Sequence, residues 1–380
     1  MHELLSVTYI NIDLSIALQV ILLGFIGGIL SGFIGSGGAF FMTPGMMNLG
    51  VDGVAAVASN IAHKFGKAMV GAKKHAAAGN VDNKLAIYML ATAIGGVQVA
   101  VWINSFLFKM GGGGGEEGHG APKGAGANLY ISLVFATILS VVAISMLRDI
   151  MKSNKKGQDG AGPSMKIAEF FAKLNLPPVI NFPVSDTKVS LWVLMVVGIA
   201  TGYLAGTIGV GGFIGVPCMI YVFGVPTAVA TGTELYLALF MGGYGAISYA
   251  LQGFVDLRLT MLLYIGSLIG VHLGVYGVKV VNEKYIRIVT CLIILLCVVS
   301  RVVAVPIYLR QLRLIDMNPA WDVYFNSGSK FFLFASGITG ALVILLKVIQ
   351  AYRSRRKIQQ TLLVVREPGL QPAAETAEAA

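Results

Sequence analysis

Charge is what this sequence has least of. Only 12% of its 380 residues are Asp, Glu, Lys or Arg, against 56% hydrophobic, and the mean hydropathy is +0.77. That balance excludes an ordinary soluble core and points to a chain that crosses the membrane several times. Cysteine is scarce as well: Cys218, Cys291 and Cys297 all lie in apolar stretches without a C-x-x-C spacing, which supports neither a disulfide framework nor a zinc site. There is no G-x-x-x-x-G-K-S/T, so no ATP-driven engine is evident. Neither H-E-x-x-H nor G-x-S-x-G stands in an apolar segment, so neither an enzyme nor a bound cofactor or metal is expected. The excess of 28 Lys and Arg over 18 Asp and Glu lies mainly in loops and helix flanks. Positive-inside topology and lipid headgroups account for it, and no nucleic-acid partner is expected.

Runs of roughly 20 apolar residues, the length that crosses a bilayer as a helix, occur near 14–32, 52–70, 85–108, 128–147, 189–206, 226–250, 259–280, 288–308 and 331–350. Two of these nine are followed by a shorter glycine-rich apolar piece. The expected organisation is a first transmembrane repeat over 1–147, a cytoplasmic connecting loop over 148–187, and a second repeat over 188–310. A loop and an additional helix over 311–352 and a disordered tail over 353–380 complete it. Within the connecting loop, "MKIAEFFAKLNL" (165–176) has the pattern of an interfacial helix. The glycine-rich loop at 109–127 carries His119 beside Glu116 and Glu117, too little for a metal site in so pliant a segment. The acidic residues Glu3 and Asp13 before the first run give no basic region of a removable signal peptide. Nine full crossings would set the basic tail against the positive-inside rule, so the side of the termini and the parity of the spans stay open.

A shift of 174 residues lays "GILSGFIGSGG" (28–38) over "GYLAGTIGVGG" (202–212), with all five glycines of the first, Gly28, Gly32, Gly35, Gly37 and Gly38, falling on glycines of the second. The match runs on without a gap: Gly50-Val51 falls on Gly224-Val225, Val81-Asp82 on Val255-Asp256, and Gly96-Val97 on Gly270-Val271. Random alignment of apolar segments would match leucines and valines; this one matches mainly glycines, and duplication is the economical explanation. Repeated halves with short glycine-interrupted apolar segments at equivalent places mark a transporter binding site between the repeats. Gly28 and Gly32, four apart, also fit close helix packing. The denser clusters read as helix ends inside the membrane, each followed by a short helix whose free N–H groups favour an anion. The expected fold is an all-α polytopic membrane protein: two repeated halves of about four helices with glycine-rich broken or re-entrant segments, plus an extra C-terminal helix. Whether the halves are parallel or inverted is left open.

The doubled G-x-x-G-x-G-G…P pattern with the following Gly-Val pairs resembles the TauE/SafE family of sulfite exporters and anion permeases over most of 14–305. The resemblance implies a secondary transporter in the bacterial cytoplasmic membrane. Its partners would be the lipid bilayer and a small anionic substrate, sulfite or an organosulfonate foremost, with proton coupling as a companion hypothesis. The alternatives are an uptake permease for another inorganic or organic anion, or an anion channel. The resemblance specifies neither direction nor oligomeric state.

Polar residues inside apolar segments are costly and mark pathways. Asn60, His63, Lys64 and Lys67 share one helical face, a cationic stripe suited to an anion, with snorkelling lysines as the plainer alternative. Ser59 and Asn60 fall on Thr233 and Glu234 under the shift. The expected substrate-binding set is Gly35, Gly37, Gly38, Ser59, Asn60, His63, Lys64, Gly209, Gly211, Gly212, Thr231 and Thr233, the hydroxyls donating to an oxyanion. Glu234, the most isolated acid of the chain, is the proton-coupling candidate or the ion-pair partner of a base such as Lys64. Asp82 and Asp256, at segment boundaries in both halves, read as helix caps. Arg301 lies deep in the eighth run but close enough to Arg310 for snorkelling to be open to it.

Overall fold

The structure, a computed structural model, describes residues 10–34, 38–110, 122–156, 176–209, 211–281 and 283–365. Among them the apolar runs become eleven helices. The first half supplies α1 (Leu14–Ile34), α2 (Ala39–Asn48), α3 (Gly53–Ala77), α4 (Asn83–Met110) and α5 (Ala125–Lys156). The second supplies α6 (Leu191–Ile208), α7 (Gly212–Tyr221), α8 (Thr227–Ala250), α9 (Leu257–Val280) and α10 (Glu283–Gln311), and α11 (Trp321–Val365) closes the chain. An antiparallel hairpin, β1 (Val179–Phe182) and β2 (Thr187–Ser190), leads into α6 with Val179 opposite Ser190. The chain is an all-α polytopic membrane protein.

Three boundaries differ from the sequence reading. α5 runs to Lys156, past the expected loop start at 148, because no Gly or Pro interrupts it before Gly157. The connecting segment ends in the hairpin. α11 continues to Val365, so residues 353–365, expected to be disordered, are helical; they too contain no Gly or Pro. The 165–175 part of the interfacial segment and His119 lie outside the described residues.

Seven helices, α1, α4, α5, α6, α9, α10 and α11, are long and apolar enough to cross a membrane. α3 and α8 are 25 and 24 residues long yet do not qualify, which corrects the count of nine apolar spans. The physical reason is their polar content: Asn60, His63, Thr233 and Glu234 on these two helices are buried in protein rather than turned to lipid.

The two halves are interleaved. α1 packs along α9, while α6, which the shift sets in register with α1, packs along α4; α3 and α8 pack on each other. Both seams bring backbones together at glycines. A Cβ on Gly28 would stand 2.6 Å from the Ser267 carbonyl oxygen, and Gly24 and Gly32 abut Leu263 and Val271 in the same way. Gly198, Gly202 and Gly206 of α6 repeat this against the backbone of Met89, Ala93 and Val97. Gly28 and Gly32 are therefore packing glycines, of the kind that lets membrane helices approach closely.

Candidate functional site

α6 stops inside the protein. Gly209, at φ +79°, turns the chain in a left-handed conformation that a side chain rarely adopts, and α7 begins three residues later. A helix end leaves carbonyls unpaired, and each of the last three here is met by a different helix. Tyr249 of α8 donates to the Gly206 carbonyl at 2.8 Å, Asn104 of α4 to Thr207 at 3.2 Å, and Thr43 of α2 to Ile208 at 3.3 Å. Irregular backbone at membrane depth persists only when protein or water satisfies it in this way.

The first half has the matching break between α1 and α2. Gly38, at φ +61°, begins α2, and all ten residues of that helix are buried. Gly35 and Gly37 lie outside the described residues. Asn60 of α3 is fully buried and donates to the Ala39 carbonyl at 3.1 Å and to Thr43 Oγ1 at 2.8 Å, which ties α3 to the first turn of α2. The short helices meet near their N-terminal ends, where the rings of Phe40 and Phe213 pack edge to face at 4.9 Å.

Glu234 falls on Asn60 under the repeat shift and lies along the first turn of α7. A Cβ on Gly212 would stand 3.3 Å from its Oε1, and one on Gly215 would collide with Oε2, so the two glycines clear the space the carboxyl group fills. Glu234 is 5% exposed, and neither oxygen has a hydrogen-bond partner among the described residues. Lys64 lines a small cavity with Ala205, Gly206, Gly209, Met241 and Gly242, at the negative end of α6. No hydrogen bond joins Lys64 to Glu234.

The remaining candidates divide. His63 is held at the α9 seam, its Nε2 2.7 Å from Ser267 Oγ and its ring on Tyr264. Lys67 donates to Ser31 Oγ at 2.7 Å; Ser31 adjoins Gly38, so this lysine serves the first break rather than the second. Thr231 donates to the Thr227 carbonyl of its own helix and is not brought to either break. Ser59 and Thr233 accept backbone N–H groups from Asp256 and Asp82, both at 3.1 Å. Gly211 packs against Ala205 ahead of α7. Asp82 and Asp256 cap α4 and α9, accepting from the N–H groups of Leu85 and Arg258. Thr43, Asn104 and Tyr249 were not singled out from the sequence. Asn104 carried a signal, a carboxamide deep in an apolar run; the other two did not differ from packing residues.

A family model described as sulfite exporter TauE/SafE matches residues 20–301, a span that contains both breaks. The chain belongs to this family. It is similar to two proteins of Bacillus subtilis (strain 168), the probable membrane transporter proteins YjnA and YdhB, at 25% identity over 259 residues in each case. The alignments cover 68% and 67% of this chain and 89% and 87% of those relatives. No solved structure matches the chain. Membership of the family makes the protein a multi-pass membrane transporter, and α11 lies beyond the span that defines it.

Proposed function

We propose that the chain is a secondary carrier for a small anion, sulfite or an organosulfonate, and that a proton travels with it on Glu234. The observation that carries this reading is the setting of Lys64 and Glu234 at the α6–α7 break: a cation lining the cavity and a buried carboxyl group with both oxygens unpartnered among the described residues. Lys64 and the N–H groups at the start of the short helices attract an anion. An ionised Glu234 repels one, and protonation removes that repulsion, so anion and proton load together. Gly38, Gly209, Gly211 and Gly212 form the backbone cradle, with the Asn60 carboxamide beside the first turn of α2.

The test is flux of radiolabelled sulfite into liposomes holding the purified protein, with and without an imposed pH gradient, against empty liposomes. Sulfate, thiosulfate and acetate serve as competitors. Saturable, sulfite-selective flux that rises when the loading side is made acidic, beyond the control, is the expected result. Absence of sulfite flux from folded protein overturns the substrate; saturable flux indifferent to the gradient overturns the coupling.

A further inference from the structure

The 174-residue shift sets α1 on α6, α3 on α8 and α4 on α9, and the contacts give each of these helices a direction. α3 and α8 run against each other: Ile61 meets Gly245, Phe65 meets Gly242 and Gly71 meets Leu235, the position on one falling as the other rises. α3 runs with α9, since Thr260 Oγ1 donates to the Ser59 carbonyl at 3.3 Å and His63 Nε2 lies 2.7 Å from Ser267 Oγ. α4 runs with α8, since Tyr244 donates to Gln98 Oε1 at 2.7 Å and Asn104 to the Tyr249 hydroxyl at 2.7 Å. The two glycine seams add that α1 runs with α9 and α6 with α4. Each of these helices therefore runs opposite to its equivalent in the other half, and a two-fold axis that exchanges antiparallel helices lies across them.

At each break the chain turns back. Gly27 and Leu23 of α1 face Met42 and Gly45 of α2, and Ala205 and Thr201 of α6 face Gly211 and Gly215 at the start of α7, so each short helix runs back along the long one before it. The end of α2 reaches the α10–α11 connection: Asn48 Oδ1 accepts from Arg301 of α10, which is fully buried and does not snorkel, and from Ser329 of α11 at 3.0 Å. The same face holds the starts of α3 and α5, where Gly53 donates to Asn128 Oδ1 at 2.6 Å, and the start of α9, where Arg258 donates to the Ile10 carbonyl at 3.3 Å. The opposite face holds the α3–α4 turn and the β1–β2 hairpin. There Ser185 donates to Asp82 Oδ2 through its N–H at 3.1 Å and its Oγ at 2.6 Å, and Lys84 donates to the Asn181 carbonyl at 2.8 Å. α5 ends on this hairpin face, and so does α11, which runs against α10 with Gly328 on Val303 and Gly340 on Ile293.

Basic residues sort with the faces. "KSNKK" (152–156) closes α5, "RSRRK" (353–357) lies in the last part of α11, and Lys73, Lys74 and Lys84 flank the α3–α4 turn, all on the hairpin face. The other face has Lys109, Lys123 and Arg313, with Arg258 and Arg310 joined to Asp256 and Asp322. The side richer in Lys and Arg is the cytoplasmic one. We infer that the two halves are inverted in the membrane about a two-fold axis in its plane, with the hairpin and the end of α11 in the cytoplasm and the start of α1 outside. α2 is then a re-entrant helix from the external face and α7 one from the cytoplasmic face, and they meet at Phe40 and Phe213. The basic tail falls inside, where nine full crossings would have put it outside, because α6 and α7 together make no crossing. That each face reaches the anion site past its own break rests on the carrier reading above; the inversion does not.

The experiment uses the full chain with Cys218, Cys291 and Cys297 replaced by alanine and one new cysteine added, made in bacterial cells that are converted to spheroplasts. A membrane-impermeant maleimide is applied before and after permeabilisation. Ala78 and Gln252 are equivalent under the shift and lie in the α3–α4 and α8–α9 turns. Lys188 reports on the hairpin and Asp316 on the α10–α11 connection, both from exposed positions. Gln252→Cys and Asp316→Cys should label in intact spheroplasts, and Ala78→Cys and Lys188→Cys only after permeabilisation. Labelling of Ala78→Cys and Gln252→Cys from the same side overturns the inversion. Labelling from opposite sides, with Ala78→Cys and Lys188→Cys outside, overturns the orientation. Asp316, which shares a face with Gln252 whether the halves are parallel or inverted, takes its place if Gln252→Cys fails to fold. Sulfite flux does not enter this readout, so failure of the carrier reading leaves the inversion to be decided by labelling alone.

Discussion

Ser59 and Thr233 occupy equivalent positions in the two halves and accept equivalent hydrogen bonds across the molecule. The Asp256 N–H reaches Ser59 Oγ and the Asp82 N–H reaches Thr233 Oγ1, each at 3.1 Å. Each hydroxyl belongs to one half and each N–H to the other. The contact made in one direction is returned in the other, the signature of a two-fold relation.

This predicts a structural rather than a binding role for both hydroxyls. Ser59→Ala and Thr233→Val each leave a buried N–H without a partner, at a cost of about 1–3 kcal/mol. Both should lower the thermal unfolding midpoint of the purified protein by similar amounts and leave the KM for sulfite where it was. A shift in KM without loss of stability would return them to the binding set.

Glu234→Gln keeps the shape of the side chain and removes its proton chemistry. Sulfite flux through this variant should persist and stop responding to a pH gradient. Continued acceleration by acid on the loading side would assign the proton to another group.

Lys64→Met removes the cation that lines the cavity while keeping most of its bulk. The KM for sulfite should rise about tenfold or more, equivalent to about 1.4 kcal/mol of lost attraction, with Lys64→Arg closer to the unaltered protein. An unchanged KM in Lys64→Met would place the anion elsewhere, Lys67 and Ser31 at the first break being the nearest basic alternative.

The space around Glu234 makes a graded prediction. A methyl group at position 212 meets the carboxyl group at 3.3 Å, whereas at 215 it collides with it. Gly215→Ala should therefore reduce flux severely and Gly212→Ala mildly, as measured in the same liposomes. Equal effects would mean that these glycines serve the helix backbone rather than the carboxyl group.

The helices were legible because each is an apolar run bounded by glycine, proline or charge, and the second break was legible because glycines recur at one spacing in both halves. The capping of the α6 carbonyls was hidden. Thr43, Asn104 and Tyr249 come from three helices far apart in the chain, and nothing local distinguishes a tyrosine that satisfies a helix end from one that packs. The cationic stripe on α3 was visible as a stripe, but its division was not: His63 and Lys67 are drawn off by Ser267 and Ser31, partners that a helical wheel cannot supply. The place of Arg301 was hidden for the same reason, since its partners on α2 and α11 exist only after folding.

The interleaving of the halves sets an order of assembly. α1 presents Gly24, Gly28 and Gly32 to α9, which begins more than 200 residues later in the chain. At a synthesis rate of roughly 5–20 residues per second, that glycine face waits on the order of ten seconds or longer, turned toward lipid or toward whatever the insertion machinery provides. The first half therefore enters the bilayer as an unfinished object, and its completion coincides with arrival of the second.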